Sequence, residues 1–168
     1  MKNLIIKLLS LFFSICFLSC NPNKKIDREN EPTIYNIQSD DSEMNQAIEN
    51  AKQTLDSFDF ALNNNTRIFT FFGLKKRVIE NGFVEHIWIG NIKKLDNENY
   101  IGIVDNLPEK IENIKLGDTV QINRKEISDW MYIKNSKLHG GFSIKLLRDR
   151  MTKEERENFD RESGMKIE

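Results

Sequence analysis

"KKRVIENGFVEHIWIGNIKKL", Lys75 to Leu95, decides how this chain folds. Asn81-Gly82 sits between two runs rich in Val, Ile, Phe and Trp. That pair suits a two-residue type I′ turn, which requires positive φ at both positions. A loop of that length sets the register of its strands, so Glu80 is predicted to face Phe83, Val78 to face Glu85 and Arg77 to face His86. Successive strand residues point to opposite faces, so His86 shares one face with Val84 and Trp88 while Glu85 shares the other with Phe83 and Ile87. Glu85 and His86, adjacent in sequence, therefore cannot form a dyad with each other.

The β-rich pattern extends from Ile68 to Arg150. "IFTFFGLKKRVIE", "FVEHIWIGNIKKL", "YIGIVDN", "TVQIN", "DWMYIK" and "FSIKLLRD" are the predicted strands. "DNEN" at 96–99 and "KNSK" at 134–137 read as turns, and "NLPEKIENIKLGD" as a longer connection closed by Gly-Asp. Upstream, Met44, Ala47, Ile48, Ala51, Leu55, Phe58 and Leu62 recur at spacings of three and four, one apolar stripe of a helix. Asp40 followed by Glu43 resembles its capping box, and Thr152 with Glu155 marks a short C-terminal helix in "MTKEERENFDRE". The fold class is α+β: an N-terminal helix packed on a mostly antiparallel sheet or partly closed barrel, then a short C-terminal helix.

The first residues, "MKNLIIKLLSLFFSICFLSC", carry Lys2 and Lys7 and then run apolar from Leu8 to Leu18. That run is too short to span a bilayer, which takes roughly 20 apolar residues, and has the charge layout of a secretory signal. "FLSC" resembles the lipobox of bacterial lipoproteins, with Ser19 before Cys20, although Phe17 stands where that pattern usually has Leu. The resemblance implies residues 1–19 as signal peptide, Cys20 as the lipidated first mature residue, and a bacterial membrane location facing the periplasm or exterior. Polar residues 20–32 read as a flexible tether, and 33–165 as a single domain.

The 168-residue chain has 25 basic and 26 acidic side chains. Loss of the leader's two lysines leaves acids in excess by three, so there is no electrostatic case for nucleic acid. Cys16 leaves with the leader and Cys20 carries the lipid, which excludes disulfides, thiol nucleophiles and thiolate metal sites in the mature domain.

Several landmarks occur in one order: "DDSEMNQAIENAKQTLDSF", "EHIWIGNI", "YIGIVDNLPEKI", "KLGDTVQI", "ISDWMYI" and "GGFSIKLLRDRM". Together they resemble the family catalogued as domain of unknown function 2314, the YegJ-like proteins, over roughly residues 33 to 160. The resemblance implies a small α+β domain, often exported, with no established activity, and it carries over no catalytic residue.

If the domain is an enzyme, its candidates are His86, Glu85, Asp105 and Asp129. His86 could serve as general base or metal ligand. A hydrolase could be assembled from Ser128, His86 and Asp105 or Asp129, yet no G-x-S-x-G elbow is present. A zinc site would need His86 and His139 to converge with carboxylates. The bland alternatives are a histidine packed beside Trp88 and an Asp129 that hydrogen-bonds a turn before Trp130. Trp88, Trp130 and Tyr132 would anchor a protein contact if they shared an exposed face. No phosphate loop or dinucleotide fingerprint is present, and no cofactor or metal is expected. The leading expectation is a membrane-anchored, non-catalytic binding or accessory domain of the envelope that binds a protein or other envelope component. A small hydrolase or metal-dependent enzyme and an immunity-type inhibitor are the alternatives.

Overall fold

A computed structural model describes the backbone of Lys24–Arg28 and Glu31–Asn36, and residues 41–168 in full. The signal peptide and the expected lipid site at Cys20 lie outside the described residues. The chain divides into two units, 1–38 and 39–168.

In the first unit, β1 (Lys24–Arg28) pairs antiparallel with β2 (Glu31–Asn36), from Lys24 opposite Asn36 to Arg28 opposite Glu31. The stretch read as tether therefore includes a strand, whose partners lie partly beyond it in Thr33–Asn36.

The second unit begins with α1 (Ser42–Gln53) and α2 (Leu55–Asn63). The N-cap is Asp41, not Asp40: its carboxylate accepts the Met44 N–H at 3.0 Å and takes Arg150 in a two-point ion pair at 2.6 and 2.8 Å. The single helix expected here breaks at Thr54, whose hydroxyl donates to Asn50 O at 2.7 Å. Trp130 Nε1 donates to Ala51 O at 2.9 Å, tying the break to the sheet.

The strands are β3 (Phe69–Glu80), β4 (Phe83–Lys94), β5 (Asn99–Val104), β6 (Thr119–Asn123), β7 (Ile127–Lys134) and β8 (Lys137–Gly140). They form one antiparallel sheet in the order β6-β5-β4-β3-β7-β8. Asn81 and Gly82 have φ of 50° and 82°, and the pairs Glu80–Phe83, Val78–Glu85 and Arg77–His86 form as the turn requires. Of the two sheet forms expected, the open one is correct. Lys76 Nζ donates to Gln121 O at 2.8 Å, and the Arg124–Glu126 turn leads directly from β6 to β7, but β6 and β8 do not pair.

One face of the sheet is the core. Leu74, Ile87, Ile89 and Trp130 are buried with Phe58, Leu55 and Ala51 of the helices, and Tyr100 and Ile122 complete the cluster. The β3–β4 ladder ends at Leu74–Ile89. Beyond it β3 continues against β7 and β4 against β5, so the two strands part.

"FSIKLLRD" is α3 (Phe142–Asp149), not a strand. Gly140 and Gly141 hold φ of 69° and 62°, ending β8 and turning the chain into the helix. "KLHG", absent from the predicted strands, is strand β8, because Asn135 and Ser136 (φ 51° and 62°) make a tight turn that folds it back on β7. Lys166 exchanges backbone bonds with Leu138 and Ser136 along β8. The closing helix, α4 (Lys153–Ser163), carries the expected Thr152–Glu155 capping box.

Candidate functional site

The face opposite the core carries the polar cluster. Lys75 is paired with Trp88 on β4 and with Asp129 on β7, and Arg77 with His86, so these side chains stand on one face. His86 Nδ1 lies 2.7 Å from Ser128 Oγ, and that hydroxyl donates to Lys75 O at 3.1 Å. With its proton directed at a carbonyl, Ser128 Oγ can only accept from the imidazole, so the bond calls for the Nδ1–H tautomer. Burial, aided by the cations of Lys75 and Arg77, pushes the His86 pKa down to about 4. His86 is thus neutral at neutral pH.

Asp129 lies deeper, 0% exposed. Its carboxylate accepts the N–H groups of Trp130 (2.8 Å), Phe142 (3.2 Å) and Ser143 (2.8 Å), and the Ser143 hydroxyl at 2.6 Å. It serves as a long-range cap for α3, whose own preceding residue, Gly141, has no side chain to do so. Lys75 Nζ donates to Ser143 Oγ at 3.1 Å and lies 5.3 Å from the Trp88 ring centroid. Burial pushes the Lys75 ammonium pKa down, against the opposing pull of Asp129, and pushes the Asp129 carboxyl up, against Lys75.

Among the candidates, the structure brings together His86 and Ser128 only. Ser128 is 3% exposed, and the Asp129 beside it faces α3. Glu85, on the other face, accepts the N–H groups of Glu109 (3.0 Å to Oε2) and Lys110, and so holds the connection between β5 and β6. Asp105 follows β5 at the surface, where its backbone N–H donates to Trp88 O at 2.9 Å. His139 stacks on Tyr132, with centroids 4.6 Å apart. Among the described residues no group of three or more His, Cys, Asp or Glu side chains could hold a metal ion. Nor do the three aromatics make one surface. Trp130, 4% exposed, and Tyr132 lie on the core side, stacked at 5.9 Å, whereas Trp88 is on the opposite face beside Lys75. The odd-even alternation of β4 and β7 relative to β3 separates them.

A family model described as "Uncharacterized protein conserved in bacteria (DUF2314)" matches residues 41–167. This chain belongs to the DUF2314 family. It is 29% identical to the uncharacterized protein YegJ of Escherichia coli (strain K12) over 92% of this chain and 94% of that one. It is 32% identical to a putative ankyrin repeat protein of Neisseria meningitidis serogroup B over 80% of this chain and 56% of that longer protein. No solved structure matches.

Two features of the DUF2314 domain escape the sequence reading. The first is a charged knot. Asp59 on α2, 8% exposed, takes Lys94 at 2.7 Å, Arg124 at 2.9 Å and the Tyr100 hydroxyl at 2.7 Å. Its only trace in the sequence is an acid next to Phe58 on the apolar stripe. The second is a cleft of about 580 Å3 where β3 and β4 part, which His86 does not line. Asn91, an asparagine inside an apolar strand, marks it: its φ is 51°, at the register shift of β4 against β5.

Proposed function

We propose that this chain is a non-catalytic binding domain of the bacterial cell envelope, held at the membrane through a lipid on Cys20. One observation carries the non-catalytic part: the side chains that could perform chemistry are committed to holding the fold. Glu85 binds the 109–110 backbone, Asp129 caps α3, and the Ser128 hydroxyl donates to Lys75 O. A nucleophile must reach substrate, and a serine 3% exposed does not. The anchoring part rests on the charged, apolar leader ending in "FLSC".

The 2.7 Å contact between His86 and Ser128 favours a second reading, a small hydrolase. The neutral imidazole is suited to act as a base, but among the described residues no carboxylate bonds its other nitrogen, and a base with a pKa near 4 is weak.

Fractionating and crosslinking cells that express wild type, Cys20→Ala and His86→Gln tests both. Wild type and His86→Gln are expected in the membrane fraction, fatty-acid labelled and in the same crosslinked adduct, whereas Cys20→Ala loses the label. Label persisting on Cys20→Ala overturns the anchor. Ester or amide hydrolysis by the purified wild type that is abolished in His86→Gln overturns the non-catalytic reading.

A further inference from the structure

The parting of β3 from β4 leaves two strand edges facing each other without a strand partner among the described residues. The ladder between them stops at Leu74–Ile89, after which Phe69–Gly73 pairs only with β7, and Gly90–Lys94 only with β5. Main-chain donors and acceptors on such an edge are a template for another strand. The cleft between them, about 580 Å3, falls within the size range of ligand sites and is bordered by Leu62 and Asn65 at the end of α2.

We infer that this cleft binds an extended, acidic segment of a partner protein as an added strand. This deepens the proposed binding role and rests on it. Each free edge is five residues long, so the segment contributes about five residues of strand.

Two further features shape the site. The Phe71 ring lies where the strands part, over Gly73 and Gly90: a Cβ on Gly73 would meet the ring at 2.7 Å, and one on Gly90 at 3.4 Å. It presents an apolar wall at the closed end, while Phe69 lines the core side. The extra residue at Asn91 turns β4 away from β3.

The charge selects the occupant. Among the described residues Lys93 is the one charged side chain lining the cleft, and it is exposed. An added strand alternates its side chains, so apolar residues on its core side meet Phe69 and Leu62 while acids on its outer face approach Lys93.

The probe is a synthetic pool of terminally blocked octapeptides alternating Val, Ile or Phe with Asp or Glu, titrated into the whole mature protein. Amide hydrogen exchange is expected to slow at 69–73 and 90–94. A pool with N-methylated backbones is expected not to protect them, since its donors are blocked. Lys93→Glu is expected to weaken the acidic pool about fivefold and to favour a lysine-containing pool. No protection at about 1 mM peptide, protection elsewhere, or equal binding of the N-methylated pool overturns the inference. If the peptides fail while the cellular adduct survives, the cleft assignment alone falls. Detection of His86-dependent hydrolysis removes the binding role itself.

Discussion

Asp129 Oδ2 accepts the Ser143 N–H at 2.8 Å and the Ser143 hydroxyl at 2.6 Å, joining β7 to the first turn of α3. Removing the carboxylate orphans buried donors at the helix start and leaves the Lys75 ammonium without its counter-charge. Asp129→Ala is expected to cost about 3 kcal/mol or more in urea unfolding. Asp129→Asn, which keeps one acceptor oxygen, is expected to cost less. Equal stability of the alanine variant would remove this cap from the account of α3.

His86 makes stability depend on pH. Its pKa is pushed from 6.5 to about 4 in the folded chain, chiefly by burial. Between those values the unfolded chain binds the proton and the folded chain resists it. Stability present above the unfolded value is therefore lost as pH falls towards about 4, by up to about 3 kcal/mol. His86→Gln is expected to be less stable at neutral pH and to lack this part of the acid sensitivity. Asp129 titrates in both proteins, so comparing their urea midpoints across the range isolates the histidine.

Two glycines separate strain from crowding. Gly82 has φ of 82° with nothing within 4 Å of a built Cβ, so Gly82→Val meets backbone strain alone, about 1 kcal/mol or more. Gly140 has φ of 69°, and its Cβ would sit 2.2 Å from Trp130 O and 2.4 Å from the indole ring. Gly140→Ala is expected to cost about 3 kcal/mol or more. Thermal or urea melts of the two variants check the order, which reversal would contradict.

Glu80 and Glu85 hold the β5–β6 connection. Glu80 accepts the Glu112 N–H at 2.6 Å and an Asn113 side-chain N–H, while Glu85 accepts from 109 and 110. The double alanine variant is expected to lose about 2 kcal/mol and to be cut faster by protease between 106 and 118. The double glutamine variant, which retains an acceptor at each site, is expected to recover much of this. Cleavage unchanged in the alanine pair would show that buried Ile111 alone secures the loop.

The features legible along the chain are local ones. Asn81-Gly82 set the β3–β4 register residue for residue because a two-residue turn with positive φ at both positions permits one pairing. Thr152 and Glu155 lie within one turn of the helix they cap, so that boundary was readable too. The alternation that follows from the turn put Glu85 and His86 on opposite faces.

Long-range packing sets the other features, wherever a partner comes from far along the chain. "FSIKLLRD" is a helix because Asp129, on another element, supplies the cap that its own flank of Gly140-Gly141 lacks. The upstream helix breaks at Thr54 where Trp130, distant in sequence, takes the Ala51 carbonyl. Glu85 binds backbone N–H groups in the 105–118 connection, a role set by where that loop lands rather than by its own neighbours. The cleft exists because β3 turns to β7 and β4 to β5, and strand order depends on how the whole sheet buries its apolar face, not on any stretch of either strand.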